Sequence, residues 1–326
     1  MTRSALTIWT NAKFPDEVLS ALAASVAPHR LIYAGERNPS NPAAAPVDSQ
    51  LAAADIAFGQ PDAEQAMRLD NLKWIHLTSA GYTAYDRDDF KTALRARGAM
   101  LTTSSGVYDD PCAQHALAMM MAFARRLPES LKTQFGDRAW HWTRRRSESF
   151  LLNGQTALLF GFGAIAIRLC ELLAPFRMNL IGVRRIVKGD EPVRIITGGQ
   201  VAEFLPRADH VINLLPGNHS TMRYFDEGRF RRMKPGAIFY NVGRGSTVDQ
   251  EALLAALERG SLAGAYLDVT TPEPLPPDHP LWSAPNCFIT PHSAGGQMRE
   301  QHDLVEHFLE NLRRFVGGRE LLDRIV

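Results

Sequence analysis

Thr156–Phe160 is an apolar run of strand length, and it leads directly into Gly161, Phe162, Gly163, Ala164, Ile165 and Ala166. Apolar residues then recur at helical spacing (Ile165, Leu169, Leu172, Leu173) before a second apolar run over 178–183. No other stretch restricts the fold more. Strand, glycine turn, helix, strand is the repeating unit of a parallel α/β sheet, and it is also the setting in which a dinucleotide pyrophosphate is held. Gly161 permits the tight turn, and Gly163 lets the backbone approach an anion held by the N–H groups and dipole of the helix start. Ala166 stands at the third glycine position, where only close packing of helix on strand is needed. The same residues also fit a purely structural βαβ turn.

The second strand of such a unit usually ends in an acidic residue that binds the ribose 2′-hydroxyl. Here that place holds Arg184, followed by Arg185. A carboxylate repels a 2′-phosphate, whereas a guanidinium fork pairs with it. The expected cofactor is therefore NADP(H), with NAD(H) possible. The alternative is a pair of solvated arginines at a strand end.

The length of 326 residues suggests two domains. With 36 basic and 35 acidic residues the formal charge is +1, which gives no reason to expect a nucleic-acid partner. No run approaches the roughly 18 apolar residues of a membrane span, and the N-terminus carries no secretion signal. Cys112, Cys170 and Cys287 are far apart and odd in number, which fits reduced thiols better than disulfides. These features together predict a cytoplasmic protein.

Short strands are expected at 6–10, 30–34, 55–58, 73–77 and 99–102, with helices at 15–26, 63–69 and 86–95 and a loop over 38–49. That alternation marks an α/β domain of its own. Ser79, Ala80 and Gly81 follow one of these strands, where open sheets bind ligands. Their amides suit a carboxylate, although a plain turn reads the same way. A periodic helix over 111–126 is expected to open the second domain, entered through Ser104, Ser105 and Gly106. Its methionines are core filler. The segment 127–150 carries Trp140, Trp142 and three arginines and suits a dimerisation arm, or else an ordinary surface excursion.

After the glycine turn, strands are expected at 210–214, 237–241, 264–269 and 287–290, and a closing helix at 303–316. Each strand delivers polar residues at its carboxyl end. Arg244, Glu273 and His292 should therefore share one rim, although on spacing alone each could equally be a surface residue. Their chemistry is complementary. A guanidinium grips a carboxylate, an imidazole moves a proton near neutral pH, and a carboxylate orients that imidazole. His302 and His307 sit five apart, which turns them about 140° from each other on a helix, so no metal site is expected.

The wording around the trio is specific. Asn241-Val-Gly-Arg244-Gly, Leu267-Asp268-Val-Thr-Thr-Pro-Glu273-Pro-Leu and Thr290-Pro-His292-Ser-Ala-Gly resemble signature segments of the D-isomer-specific 2-hydroxyacid dehydrogenases. Leu214-Leu-Pro216 with Thr221, and Ser105-Gly-Val-Tyr108, are similar to other segments of that family. The resemblance spans roughly residues 70 to 316. It implies an α/β fold of two doubly wound parallel-sheet domains, with a Rossmann cofactor domain (104–290) inserted into a discontinuous flavodoxin-like substrate domain (1–103 and 291–326). It implies that Arg244 binds the substrate's carboxylate and carbonyl, His292 is the acid/base and Glu273 its partner. Ser79, Ala80 and Gly81 would hold the carboxylate. Gly161 to Ile165, Arg184, Arg185, Leu215, Pro216, Thr221, Val242, Gly243, Asp268, His292 and Ala294 would surround the cofactor.

Gln114 departs from the family's usual glutamate. The activity implied is reduction of a small 2-oxo acid, of the glyoxylate or hydroxypyruvate type, to the D-2-hydroxy acid. A homodimer is expected on the separate ground that a twofold dimer is the common outcome for soluble oligomers. The alternative on the same fold is a nucleotide-sensing protein without turnover, as in the family's corepressor members.

Overall fold

In the computed structural model of the protein, residues 5–38, 46–187 and 189–326 are described. The chain divides into two compact units, Met1–Tyr108 with Gln297–Val326, and Asp109–Gly296.

The first unit holds five parallel strands: β1 (Thr7–Ala12), β2 (Arg30–Asn38), β3 (Ile56–Phe58), β4 (Trp74–His76) and β5 (Met100–Thr102). Their order is β2-β1-β3-β4-β5, that of the flavodoxin-like sheets. β3 and β4 are buried at every position, as a strand covered on both faces must be. Of the expected loop over 38–49, residues 39–45 lie outside the described residues. Asn38 itself closes β2, and Ser49 opens a 3-10 turn, Ser49–Ala53.

The closing helix, Glu300–Val316, docks on this sheet through an aromatic stack. Phe308 lies 4.1 Å from Phe58, ring to ring, and 5.4 Å from Trp74. The last residues add one antiparallel bridge, Arg324 to Thr102.

The second unit holds seven parallel strands: β6 (Thr156–Phe160), β7 (Asn179–Val183), β8 (Arg194–Ile196), β9 (His210–Asn213), β10 (Ala237–Asn241), β11 (Leu262–Leu267) and β12 (Cys287–Ile289). Their order, β8-β7-β6-β9-β10-β11-β12, reverses direction between β6 and β9. This is the doubly wound dinucleotide-binding arrangement, with its switch point at the glycine turn. The strand ends are in register, since Phe160 pairs with Val183 and with Asn213. Asn213 pairs with Asn241, Asn241 with Leu267, and Leu267 with Ile289. The next residues along each strand, from Arg184 through Gly161, Leu214, Val242 and Asp268 to Thr290, therefore form one row. That row positions the site.

Two boundaries differ from expectation. The helix expected from Pro111 runs instead over Ser105–Ala124 with Pro111 inside it, so Ser105 and Gly106 form its first turn rather than a linker. The division between units falls at Tyr108, inside that helix, and again at Gly296. Residues 291–296, His292 among them, thus belong to the second unit. The reason is local: the His292 N–H donates to the carbonyls of Asp268 and Thr290, both on that sheet's rim.

The segment 127–150 forms two helices, Leu127–Phe135 and Trp142–Glu148. Leu127, Leu131, Phe135, Trp140, Trp142 and Leu151 stand exposed along or just after it, Trp140 at 88%.

Candidate active site at the strand tips

The glycine turn is shaped by its neighbours. Gly161 has φ +89°, and a Cβ there would lie 2.6 Å from the Leu214 carbonyl oxygen. Only glycine meets both demands. Gly163 has an extended backbone and precedes helix Ala164–Leu173 without any side-chain cap, and a Cβ on it would meet nothing within 4 Å. Among the described residues the amides of Ala164, Ile165 and Ala166 have no hydrogen-bond partner, as expected for a first helical turn. An open cradle of free N–H groups fits a pyrophosphate.

Phe162 and Val242, expected around the cofactor, turn their side chains inward. Phe162 packs so closely over Gly182 that a Cβ there would lie 2.3 Å from its ring. These two positions can present only backbone. The Thr221 hydroxyl donates to the Pro216 carbonyl at 2.6 Å and closes the 216–221 turn, while the Leu215 N–H donates to Asn213 Oδ1 at 3.1 Å. Ala294 is buried. Arg185 is exposed, but Arg184 is not free: its Nη1 donates to Glu191 Oε1 at 3.0 Å, and the Glu191 side chain is almost fully buried. Sequence reasoning missed that partner.

Arg244 follows β10 in a turn fixed by a polar network. Asn213 Nδ2 donates to Asn241 Oδ1 and Thr247 Oγ1, while the Thr247 hydroxyl and Asn241 Nδ2 both donate to the Arg244 carbonyl. Two asparagines ending apolar strands were the signal for this network. The Arg244 guanidinium bonds the Gly243 carbonyl at 2.6 Å. Burial draws its pKa below the usual arginine value, against the pull of Glu273.

Glu273 accepts the Thr270 N–H at 3.0 Å on Oε1 and faces His292 Nδ1 at 2.8 Å on Oε2. Burial alone would raise its pKa. The His292 hydrogen bond and charge, the Thr270 amide and Arg244 outweigh that, and the carboxyl lies below its ordinary value. A carboxylate only accepts, so Nδ1 must be the donor and Nε2 is left for other business.

Asp268, expected beside the cofactor, is buried, and its carboxylate is taken up by the His292 loop. Oδ1 accepts the Thr290 hydroxyl at 2.6 Å and the Ser293 N–H at 2.9 Å, and both oxygens accept the Ala294 N–H. Its observed task is to hold that loop. His292 itself has φ +51°, a conformation that needs such support in a non-glycine residue.

In the first unit Ser79 closes its own turn by donating to the Gly81 carbonyl at 2.6 Å, and Gln60 donates to the Ser79 hydroxyl. The amides of Ser79, Ala80 and Gly81 have no partner among the described residues, so the turn is a ready anion nest. Gln114 is exposed. His307 packs against His76 and lies 3.1 Å from Asp323.

Residues 117–294 match the sequence model of the D-isomer specific 2-hydroxyacid dehydrogenase NAD binding domain. The chain is 34% identical over 256 residues to a glyoxylate reductase/hydroxypyruvate reductase of Mus musculus, covering 76% of this chain and 75% of that one. A glyoxylate reductase of Thermofilum pendens is 32% identical over 263 residues, covering 79% and 76%. Among solved structures, a D-isomer specific 2-hydroxyacid dehydrogenase from Xanthobacter autotrophicus Py2, in complex with NADPH and MES, is similar with a TM-score of 0.81. The identity there is 25%, over 99% of this chain and 98% of that one.

Proposed function

The chain belongs to the D-isomer specific 2-hydroxyacid dehydrogenase family, as a nicotinamide-dependent oxidoreductase, and from that premise we propose that it reduces a small 2-oxo acid of the glyoxylate or hydroxypyruvate type with NADPH preferred. The reading is carried by one observation: His292 Nδ1 lies 2.8 Å from Glu273 Oε2 on the rim that also bears Arg244.

When bound, the nicotinamide supplies the hydride that the carbonyl carbon receives. His292 delivers the proton to the carbonyl oxygen from Nε2, since Nδ1 is committed to Glu273. Glu273 stabilises the ring while it carries charge. Arg244 pairs with the carboxylate and faces the oxygen as negative charge grows there. Within the first unit, the free amides of Ser79, Ala80 and Gly81 form a nest suited to an anion such as a carboxylate. The amides of Ala164 to Ala166 hold the pyrophosphate.

Support for NADPH comes from Arg184 and Arg185, and from the absence of an acidic residue directly after β7. Glu191 works against it by neutralising Arg184 in part. Purified protein incubated with each reduced dinucleotide and a panel of 2-oxo acids, with nicotinamide absorbance as the readout, tests both points. Turnover of glyoxylate or hydroxypyruvate with a higher kcat/KM for NADPH is expected. A higher kcat/KM for NADH would show that Glu191 prevails, and binding without turnover on any acid would favour the nucleotide-sensing alternative.

We assign the exposed apolar residues of 127–151 to the contact of a homodimer, because so concentrated a patch is unusual on a solitary surface. Sedimentation should give a dimer, and Trp140→Glu should dissociate it. A monomeric wild-type protein would refute the assignment.

A further inference from the structure

Asp268 grips the His292 loop, and the groups that grip Asp268 in turn lie on neighbouring elements. The Thr290 hydroxyl donates to Asp268 Oδ1 at 2.6 Å, and the Tyr266 hydroxyl lies 2.6 Å from the same Thr290 oxygen. Threonine has one hydroxyl proton. It is directed at a carboxylate that can only accept, so the Tyr266 phenol must be the donor to Thr290. Burial pushes that phenol well above its ordinary pKa, which keeps it protonated for the task. The ring cannot drift, because it is fully buried in β11 and stacked on His115 at 5.5 Å and 28°.

The result is a one-way series of donors: phenol to hydroxyl, hydroxyl to carboxylate. It ends at the acceptor of the Ser293 and Ala294 amides, directly after His292. Resting on the reading that His292 transfers the proton, we infer that Tyr266 is a positioning residue for that imidazole, acting through Thr290 and Asp268. It touches neither substrate nor cofactor. Its task is to fix the rotamer of Thr290, so that the Asp268 carboxylate stays aligned with the loop and His292 keeps its left-handed backbone.

The test uses Tyr266→Phe, Thr290→Val and the double variant, all close in shape to the original side chains. Tyr266→Phe should lower kcat about two- to tenfold, the worth of one hydrogen bond, with KM for the oxo acid and dinucleotide affinity unchanged. Thr290→Val should cost at least as much. The double variant should equal Thr290→Val alone, since residues acting through one another are not additive. Amide hydrogen exchange at Ser293 and Ala294 reads the same coupling without turnover and should quicken in Tyr266→Phe.

Unchanged kcat and unchanged exchange in Tyr266→Phe, or additive losses in the double variant, would overturn the inference. A wild-type protein that turns over no 2-oxo acid, yet shows faster loop exchange in Tyr266→Phe, would defeat the functional reading and leave the positioning role standing.

Discussion

Replacing His292 by asparagine should lower kcat about a hundred- to ten-thousandfold, the span expected when a positioned acid/base is lost, while the dinucleotide still binds. Asparagine is the informative choice because the backbone at this position has φ +51°. Asparagine tolerates that region, whereas alanine would add strain there and confuse loss of chemistry with loss of the loop. The Ser293 and Ala294 amides would remain on Asp268, and Glu273 would remain on the Thr270 amide. Only the group that carries the proton would be gone. Steady-state kinetics and a fluorescence titration of dinucleotide binding measure the two halves of the prediction. A variant that kept near-wild-type kcat would remove His292 from the reaction, and one that lost dinucleotide binding would make it a structural residue.

Much of this site could be read from the sequence because buried parallel strands are continuous apolar runs, and the residues at the carboxyl end of each run must surface at one rim. Arg244, Glu273 and His292 fall at such tips, although spacing alone leaves each open as a surface residue and it is the wording around them that resembles the family's signature segments. Their supports are not legible in that way, because a support is defined by the groups it touches. Asp268 reads as another polar residue at a strand tip, and only coordinates show its carboxylate facing two amides and a hydroxyl of another loop. Glu191 lies in an irregular stretch after Arg184, where no periodicity predicts that it folds back to pair with that residue.

The start of the helix at Ser105 is hidden in the sequence by Pro111. Proline is favoured in the first turn of a helix, so the eye places the start there, whereas the helix begins at Ser105. The helices Glu227–Arg232 and Gln250–Glu258 each carry a cap that is legible in the sequence. Asp226 accepts the Arg229 N–H, and Asp249 accepts the Ala252 N–H. β8 has three residues and too little pattern to find. Nor does composition mark the division at Tyr108, because the chain crosses it inside a regular helix.

Gly245→Ala should be the most damaging small change in the second unit. A Cβ at Gly245 would lie 1.9 Å from the Thr270 carbonyl oxygen and 2.1 Å from its carbon. Those are backbone atoms and cannot swing aside, so the turn carrying Arg244 and the segment carrying Glu273 must separate. Thr270 donates its N–H to Glu273, and any displacement of Thr270 therefore pulls the carboxylate away from His292. A misplacement on the order of 1 Å in such a site costs about a hundredfold in rate, and forcing atoms into a packed region costs about 1–3 kcal/mol of stability.

Gly163→Ala is the matched control, since a Cβ there enters open space. It should leave the denaturation midpoint unchanged and weaken only dinucleotide affinity, because the added methyl occupies the cradle before the helix. Kinetics and urea denaturation on the two variants separate the cases. If Gly245→Ala kept both stability and kcat/KM, the close approach of the two segments would not be what sets the distance from Glu273 to His292.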